Sequence, residues 1–145
     1  MSHAATIIGI PGLQIERVKR NRGIEVWARP YRRPPCKHCL SPDLRIKATH
    51  QRTVKHTRQG NQVMTLHLQV PKYHCQACRR YFRHPFIGIR PRYRASEAYR
   101  LEVYEAHDGG VTLRKLSRTH LVSAATVERW YQHHLGIKRS EMDRR

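Results

Sequence analysis

The spacing of apolar residues changes along the chain, from every second position in the first half to helical spacing in the second. Over residues 12–31 the alternation is interrupted by Asn21, Arg22 and Gly23, which favour a tight turn, so we predict a β-hairpin. The apolar positions that mark its two strands are Leu13, Ile15, Val18, Ile24 and Val26. Three prolines at positions 30, 34 and 35 then end regular pairing.

Two longer strands are predicted after this hairpin. The stretch from Leu44 to Val54 is polar and β-branched, and residues 58–61 (Arg-Gln-Gly-Asn) have turn chemistry. The strand from Gln62 to Val70 alternates more clearly. One face carries Met64, Leu66, Leu68 and Val70, and the other carries Val63, Thr65, His67 and Gln69.

Helical spacing begins after a basic linker at residues 87–94. Ser96 is expected to cap a helix that runs to about His107 and ends at Asp108, Gly109 and Gly110. Its expected buried stripe is Tyr99, Val103 and Ala106, widened by Leu101 and Tyr104.

Two more helices are predicted beyond the glycines. Thr112 is expected to cap a short helix through about His120, and Ser123 to cap a third helix that stops at Gly136. The expected buried face of the third helix comprises Ala124, Val127, Tyr131 and Leu135.

The order of these helices predicts a helix-turn-helix unit, with a plain three-helix bundle as the alternative. Five residues of the third helix point away from its expected buried face and are candidates for contact with bases: Ala125, Thr126, Arg129, Gln132 and His133. Trp130 is expected to pack in the core or at a groove edge rather than to stack on bases.

All four cysteines occur in two Cys-x-x-Cys motifs, Cys36/Cys39 and Cys75/Cys78, separated by 35 residues. Each motif can turn two thiolates onto one ion, and two motifs supply the four sulfur ligands of a structural zinc site. We therefore predict one Zn²⁺ held by these four residues. Residues 79–86, with three aromatic side chains, are expected to return as a short strand that covers the site, which gives the layout of a zinc ribbon.

Other readings of the cysteines are four unrelated buried thiols, two small disulfides or a redox dithiol. The βαβ context of a thioredoxin-like motif is absent from the predicted elements. His38 and His74 neighbour the cysteines and are expected to surround the site rather than to bind the metal.

The chain is strongly basic, with 29 Lys and Arg against 10 Asp and Glu and a formal net charge of +19. Residues 36–94 hold 13 of the basic residues against one acid, Asp43, for a net +12. Such an excess indicates a polyanionic partner, here nucleic acid, and makes the ribbon the better candidate for phosphate contact and the helices for base reading. A merely soluble basic surface is the alternative.

The sequence therefore predicts an α+β fold of three units in 145 residues: a hairpin (1–35), a zinc ribbon with basic linker (36–94) and a helix-turn-helix (95–145). Residues 1–11 lack the basic start and long apolar run of a secretory signal, and no stretch has the length of a membrane span. We expect a cytoplasmic, nucleoid-associated bacterial protein with no membrane partner.

These motifs resemble the N-terminal region of bacterial insertion-sequence transposases of the ISL-three type. The resemblance rests on residues 32–39, 63–70, 73–82, 111–116 and 123–130 taken in order. It implies that the ribbon and the helix-turn-helix recognise the terminal inverted repeats of the element in double-stranded DNA, and that a following RNase-H-like domain with an acidic triad cuts DNA in transposition. Partners would be DNA and, for this chain, full-length transposase or a second copy of itself.

The ten acids of this chain are scattered without the α/β scaffold of a two-metal site, so we expect a non-enzymatic, truncated transposase-like protein that binds DNA. Three rivals remain: a stand-alone transcription regulator, an RNA-binding zinc-ribbon protein and an active nuclease. Expected DNA contacts, besides the five residues of the third helix, are Arg79, Arg80, Arg83, Arg90, Arg92, Arg94, Arg114, Lys115, Arg118 and Ser123.

Overall fold

The computed structural model describes residues 8–145, which form a five-stranded sheet followed by three helices. The strands are β1 (Leu13–Arg20), β2 (Ile24–Pro30), β3 (Leu44–Gln59), β4 (Gln62–Cys75) and β5 (Tyr81–Arg83), and the helices are α1 (Glu97–Asp108), α2 (Leu113–Thr119) and α3 (Ala124–Met142). Residues 1–11 were predicted not to form a secretory signal. Most of this segment lies outside the described residues. The α+β class and the order of the strands and helices agree with the sequence prediction.

β4 is the central strand of the sheet. It pairs antiparallel with β3 along its whole length, and its other edge is shared by two short partners. β2 runs parallel to residues 64–68, and β5 runs antiparallel to residues 72–74. The predicted hairpin β1–β2 is thereby joined to the ribbon in one continuous sheet.

Pro71 occupies the point where β4 changes neighbour from β2 to β5. A proline inside a strand cannot donate a ladder hydrogen bond, and it is tolerated where no partner needs that donor. Pro71 instead accepts, since its carbonyl receives the N–H of His84 at 2.9 Å. β4 thus tolerates this interior proline because it lies between the segment paired with β2 and the segment paired with β5.

Three apolar clusters stabilise the described chain. The largest lies on one sheet face and includes Val26, Leu66 and Leu68 with Ile89 of the linker. A second joins the three helices to Val63, on the opposite face of β4. The third is small and surrounds the cysteines. The predicted alternation of β4 is confirmed, because its even-numbered residues from 64 to 70 all belong to the first cluster.

Backbone pairing attaches the start of the helical region to β3. The N–H of Lys55 donates to the carbonyl of Arg94 and the N–H of Ser96 donates to the carbonyl of Lys55, both at 2.9 Å. The buried ring of His56 adds a side-chain link, because Nδ1 lies 2.6 Å from the Ser96 hydroxyl and Nε2 bonds to the carbonyl of Ile8. The α1 cap is therefore held by the sheet.

The three helix caps are confirmed. The side chains of Ser96, Thr112 and Ser123 each accept a hydrogen bond from the backbone N–H three residues on. The stop predicted at Gly136 is wrong, because α3 continues to Met142. A helix-interior glycine costs only about 1 kcal/mol relative to alanine, and the good helix formers that follow it propagate the helix.

Some predicted buried positions and one boundary also differ. β3 runs beyond Val54 to Gln59 because β4 pairs with it over this whole length. Leu101 is 44% exposed because the α1 stripe narrows to Tyr99, Val103 and Tyr104. Ala124 is exposed, and Val18 of the hairpin is 49% exposed. Trp130 packs against the helical cluster, as expected.

Candidate metal centre and nucleic-acid interface

The two cysteine motifs have the same backbone structure. In the first, the N–H of Leu40 donates to the carbonyl of Cys36 at 2.9 Å, and in the second the N–H of Arg79 donates to that of Cys75 at 3.0 Å. Leu40 and Arg79 follow the second cysteine of each motif and share a left-handed backbone, with φ of 64° and 62°. Each motif is therefore a closed turn that presents two thiols on one side.

The strands bring the two turns together. β3 begins at Leu44, five residues after Cys39, and this residue pairs with Cys75 at the end of β4. The N–H of Gln76 also donates to the carbonyl of Asp43 at 2.9 Å, which joins one turn directly to the other. The 35 intervening residues are the β3–β4 hairpin, as the sequence predicted.

The four sulfur atoms lie within 4.8 Å of one another. Two of the separations are 3.5 Å, between Cys39 and Cys75, and 3.7 Å, between Cys36 and Cys78. Zinc–sulfur bonds of about 2.3 Å in a tetrahedron place sulfurs about 3.8 Å apart, whereas a disulfide needs about 2.05 Å. The donor set fits one zinc ion, and all four cysteines are free of disulfides.

The thiols differ in their tendency to ionise. Burial opposes ionisation of Cys36, but the backbone N–H groups of Cys39 and His38 favour it, and the pKa of its thiol falls to about 6. At Cys39 the N–H of Ser41 favours the thiolate, while burial and the adjacent sulfurs oppose it, and the pKa rises to about 11. Thiolates this close repel one another, and a divalent cation removes that repulsion.

An aromatic cover closes the site on one side. Cys36 and Cys75 are buried with Leu44, Tyr73 and Phe82, the last from the predicted return strand. The imidazole of His74 bonds to Gln76 and packs on Tyr81, and the ring of His38 lies edge-on to Phe82. Neither histidine belongs to the four-residue cluster, in agreement with their expected place around the site.

Basic side chains form a strip from the ribbon to the helices. Burial, followed by the charge of Arg83 on β5, lowers the pKa of Arg52 on β3. Arg52 in turn donates to the backbone carbonyls of Arg90 and Tyr93 in the linker. The strip continues from the linker into a groove beside α3.

This groove has a volume of about 800 Å³ and lies between the linker and β3 on one side and the turn and start of α3 on the other. It is lined by five cationic side chains, Lys55, Arg92, Arg94, Arg100 and Arg129. Thr126 and His133 of α3 also line it. Burial, then Arg100 and other nearby cations, lowers the pKa of His133, as expected in a positive environment.

The predicted DNA-contacting residues lie in five places. Arg79, Arg80 and Arg83 are exposed on the second turn and β5, and Arg114, Lys115 and Arg118 are exposed on α2. Arg92, Arg94, Ser123, Thr126, Arg129 and His133 line the groove. Ala125 and Gln132 are exposed on α3 outside it, and Arg90 is paired with Glu97 at 2.7 Å, which partly neutralises it.

Sequence reasoning missed Lys55, Tyr93 and Arg100 as lining residues. They come from a strand, the linker and α1, so no local spacing groups them. The parallel contact between Lys55 and Ala95, which brings these elements together, is a tertiary feature. The net charge of each segment was the signal available in the sequence. It indicated a basic part of the chain but did not identify individual lining residues.

Four converging thiols on two turns at the end of a hairpin define a structural zinc ribbon. Residues 32–78, a third of the chain, match the family described as zinc-finger of transposase IS204/IS1001/IS1096/IS1165, so this segment is similar to the zinc ribbon of ISL-three type transposases. Searches of curated proteins and of solved structures each found no match.

The match and the sulfur geometry together establish Cys36, Cys39, Cys75 and Cys78 as the ligands of one structural Zn²⁺. Four thiolates leave no open coordination position, so the ion supplies rigidity rather than chemistry. A zinc-finger module of a transposase family indicates nucleic-acid binding. None of the helices in residues 8–145 has the length and apolar character to cross a membrane.

Proposed function

We propose that this chain binds double-stranded DNA in a sequence-specific manner, as the end-recognition part of a transposase. The ribbon, β3 and the linker hold the phosphate backbone, and α3 reads base edges in the terminal inverted repeats. The observation that carries the proposal is the groove, in which two linker arginines lie beside Thr126, Arg129 and His133 of α3. Phosphate contact and base contact would therefore occur side by side.

The helical region supports a helix-turn-helix interpretation. α2 and α3 are joined by a short turn, residues 120–123, in which Leu121 has a left-handed φ of 53°. The Tyr99 hydroxyl of α1 donates to the carbonyl of His120, and the ammonium group of Lys55 donates to that of Leu121. The turn is thus fixed from two sides, which sets the angle at which the start of α3 meets a major groove.

Arg129 is the residue that we assign to base recognition. Its guanidinium donates to the Thr126 hydroxyl at 3.0 Å, and the Thr126 hydroxyl lies 2.8 Å from that of Ser123. This network orients an exposed arginine in the first two turns of α3, where a bidentate contact with guanine is possible.

The proposal is tested by selecting duplexes from a random pool and measuring affinity as a function of salt. Arg129→Ala is expected to relax preference at one base pair by about 1–3 kcal/mol. Arg80→Ala, on the ribbon, is expected to weaken all duplexes similarly and to lower the salt slope by about one. Arg139→Ala is the matched control on α3, because Arg139 is exposed near the far end of the helix.

Failure to select any preferred duplex would overturn the proposal. The net charge of +12 on residues 36–94 suits structured RNA as well, and equal competition by folded RNA would favour that rival. A selected site within promoters rather than at element ends would favour a transcription regulator.

We further propose that the chain does not itself cut DNA. In residues 8–145 the four cysteines are the only group of three or more metal-ligating side chains found together, and a two-metal nuclease needs clustered carboxylates. Incubation of supercoiled and linear DNA with the protein and Mg²⁺ or Mn²⁺ is expected to leave both intact. Metal-dependent cleavage that persists through purification would contradict the proposal.

A further inference from the structure

The groove beside α3 contains more than cations. Tyr93 projects from the linker and is 36% exposed, and the guanidinium carbon of Arg100 lies 4.7 Å from the centre of its ring. The same guanidinium lies 5.5 Å from the centre of the Trp130 ring. Arg100 thus lies over both rings, and the three side chains form one cluster of flat groups that lines the groove, which we call the stacking platform.

Apolar side chains of the turn extend the lining opposite the linker. Leu121 and Val122 both line the groove, and Leu121 is 61% exposed. A groove that served only to hold a phosphate would need donors and positive charge, but not exposed aromatic and aliphatic surface. Flat groups and apolar edges are what the faces of nucleobases contact in single strands.

The rim of the groove carries the complementary chemistry. Lys55, Arg92 and Arg94 line it together with the platform, and none of its lining residues is acidic. A volume of about 800 Å³ is in the range of small-ligand sites and holds one or two nucleotides, whereas a duplex can contact only the side chains at the opening of the groove. The groove therefore offers a surface for a base and positive charge for a phosphate, and its size fits a nucleotide.

We propose that this groove binds an unpaired nucleotide of DNA, with its base on the stacking platform and its phosphate on the surrounding cations. The inference rests on the proposed function, since it assigns a second subsite to the same DNA-binding surface. Duplex lies along α3 and the basic strip, and an extrahelical or terminal unpaired nucleotide enters the groove. Tyr93 and Arg100 are the residues that contact the base.

The chain contains two tryptophans that distinguish this site from general charge attraction. Trp130 lines the groove, while Trp27 lies on the sheet, stacked on His67 with Arg17 over its ring at 3.8 Å. In a spectrum of ¹⁵N-labelled zinc-loaded protein, the two indole N–H signals report separately on the two places. Titration with a short oligodeoxythymidylate is expected to shift the Trp130 signal and to leave that of Trp27 in place.

An abasic strand of equal length carries the same phosphates without bases. We expect the thymidylate strand to bind at least about 5-fold more tightly than the abasic strand, as the stacking of one base implies. Tyr93→Ala is expected to abolish this difference. Tyr81→Ala, which removes a tyrosine 53% exposed on the ribbon, is the matched control and is expected to preserve it.

Equal affinity for the two strands would overturn the inference, because phosphate contact alone would then explain binding. A shift of Trp27 instead of Trp130 would also overturn it, as would tighter binding of oligouridylate than of oligothymidylate. The proposed function is measured separately by duplex selection and by Arg129→Ala, so failure of duplex recognition is distinguished from failure of the groove to bind a base.

Discussion

The ribbon end of the sheet and the helical unit are stabilised in different ways. Around the cysteines only five residues are buried together, and two of them are the metal ligands Cys36 and Cys75. The helical unit buries seven apolar residues, contributed by β4, all three helices and the segments between them. The first region is stabilised by an ion and the second by apolar packing. Conditions that unfold one region therefore need not unfold the other.

A small basic protein can therefore stabilise two regions of different charge by different means. Like charges on the ribbon repel, and its small core offers little to oppose that repulsion. A metal cross-link stabilises such a segment without apolar surface, which leaves the outer residues free to be cationic. The helices carry nearly balanced charge and can rely on burial.

Removal of zinc is expected to have the largest effect and to be confined to the ribbon. Structural zinc contributes on the order of 10 kcal/mol in small domains of this kind, so Cys36→Ser or chelation should unfold the cysteine turns and β5. Hydrogen exchange should show lost protection at residues 36–44 and 73–83, with α1–α3 still protected. Elemental analysis should give about one zinc per wild-type chain. Simultaneous unfolding of the helices would show that the two regions are not stabilised separately.

Loss of packing in the helices is expected to show the converse. Leu116 is fully buried, so Leu116→Ala should lower the free energy of unfolding of the helical unit by about 2–5 kcal/mol. Zinc content should stay unchanged. Leu101→Ala is the matched control on α1, because Leu101 is 44% exposed, and an equal effect of the two substitutions would show that the buried cluster is not the source of stability.

Acid is expected to weaken the junction between the regions through His56. Burial lowers the pKa of His56, partly offset by the Ile8 carbonyl and Glu102, so the folded state favours the neutral ring. Its contribution is complete above about pH 6.5 and is lost as the pH falls below that value. The thermal unfolding midpoint of the wild-type protein should therefore decrease as the pH is lowered from about 7 to about 5.

Acid also protonates the zinc thiolates, and burial lowers the pKa values of His84 and His120 as well, so a variant is needed to isolate His56. His56→Gln should reduce the pH dependence, since glutamine does not titrate. His50→Gln, at an exposed position of β3, should retain the wild-type slope. Identical slopes in all three proteins would exclude His56 as the sensitive group.

The smallest effect is expected at Gly136. The residue lies inside α3, and a Cβ built there would meet no atom within 4 Å. Gly136→Ala should therefore stabilise the helical unit by about 1 kcal/mol, through helix propensity alone. Thermal unfolding followed by circular dichroism measures this, and a destabilised variant would mean that α3 does not continue through this position.

Local chemistry explains which features could be predicted from the sequence. The β1–β2 and β3–β4 hairpins, the three caps and the four ligands depend on residue type and short spacing, and they lie where the sequence placed them. The stop at Gly136 was wrong because a single weak helix former does not outweigh the residues that follow. The exposure of Leu101 depends on how α1 sits on the other helices, which its own spacing does not reveal.

The groove could not be predicted because its walls are distant in sequence. Lys55 and Arg129 are separated by about half of the chain, and the pairing of residue 55 with residues 94–96 brings them together. The parallel contact of β2 with β4 is of the same kind, since nothing in either strand specifies the other as its neighbour. Tertiary pairing, rather than local preference, creates the surface that we propose for DNA binding.

The two cysteine turns repeat one hydrogen-bond pattern, which also includes Cys36 N–H to the Ser41 carbonyl and Cys75 N–H to that of Arg80. Each half of the metal site is thus formed by a few consecutive residues. Closing the β3–β4 hairpin carries the entropic cost of bringing the two halves together, and this closure does not involve the ion. Zinc then fixes two turns that the β3–β4 hairpin has brought together, so we expect zinc binding to depend on an intact hairpin.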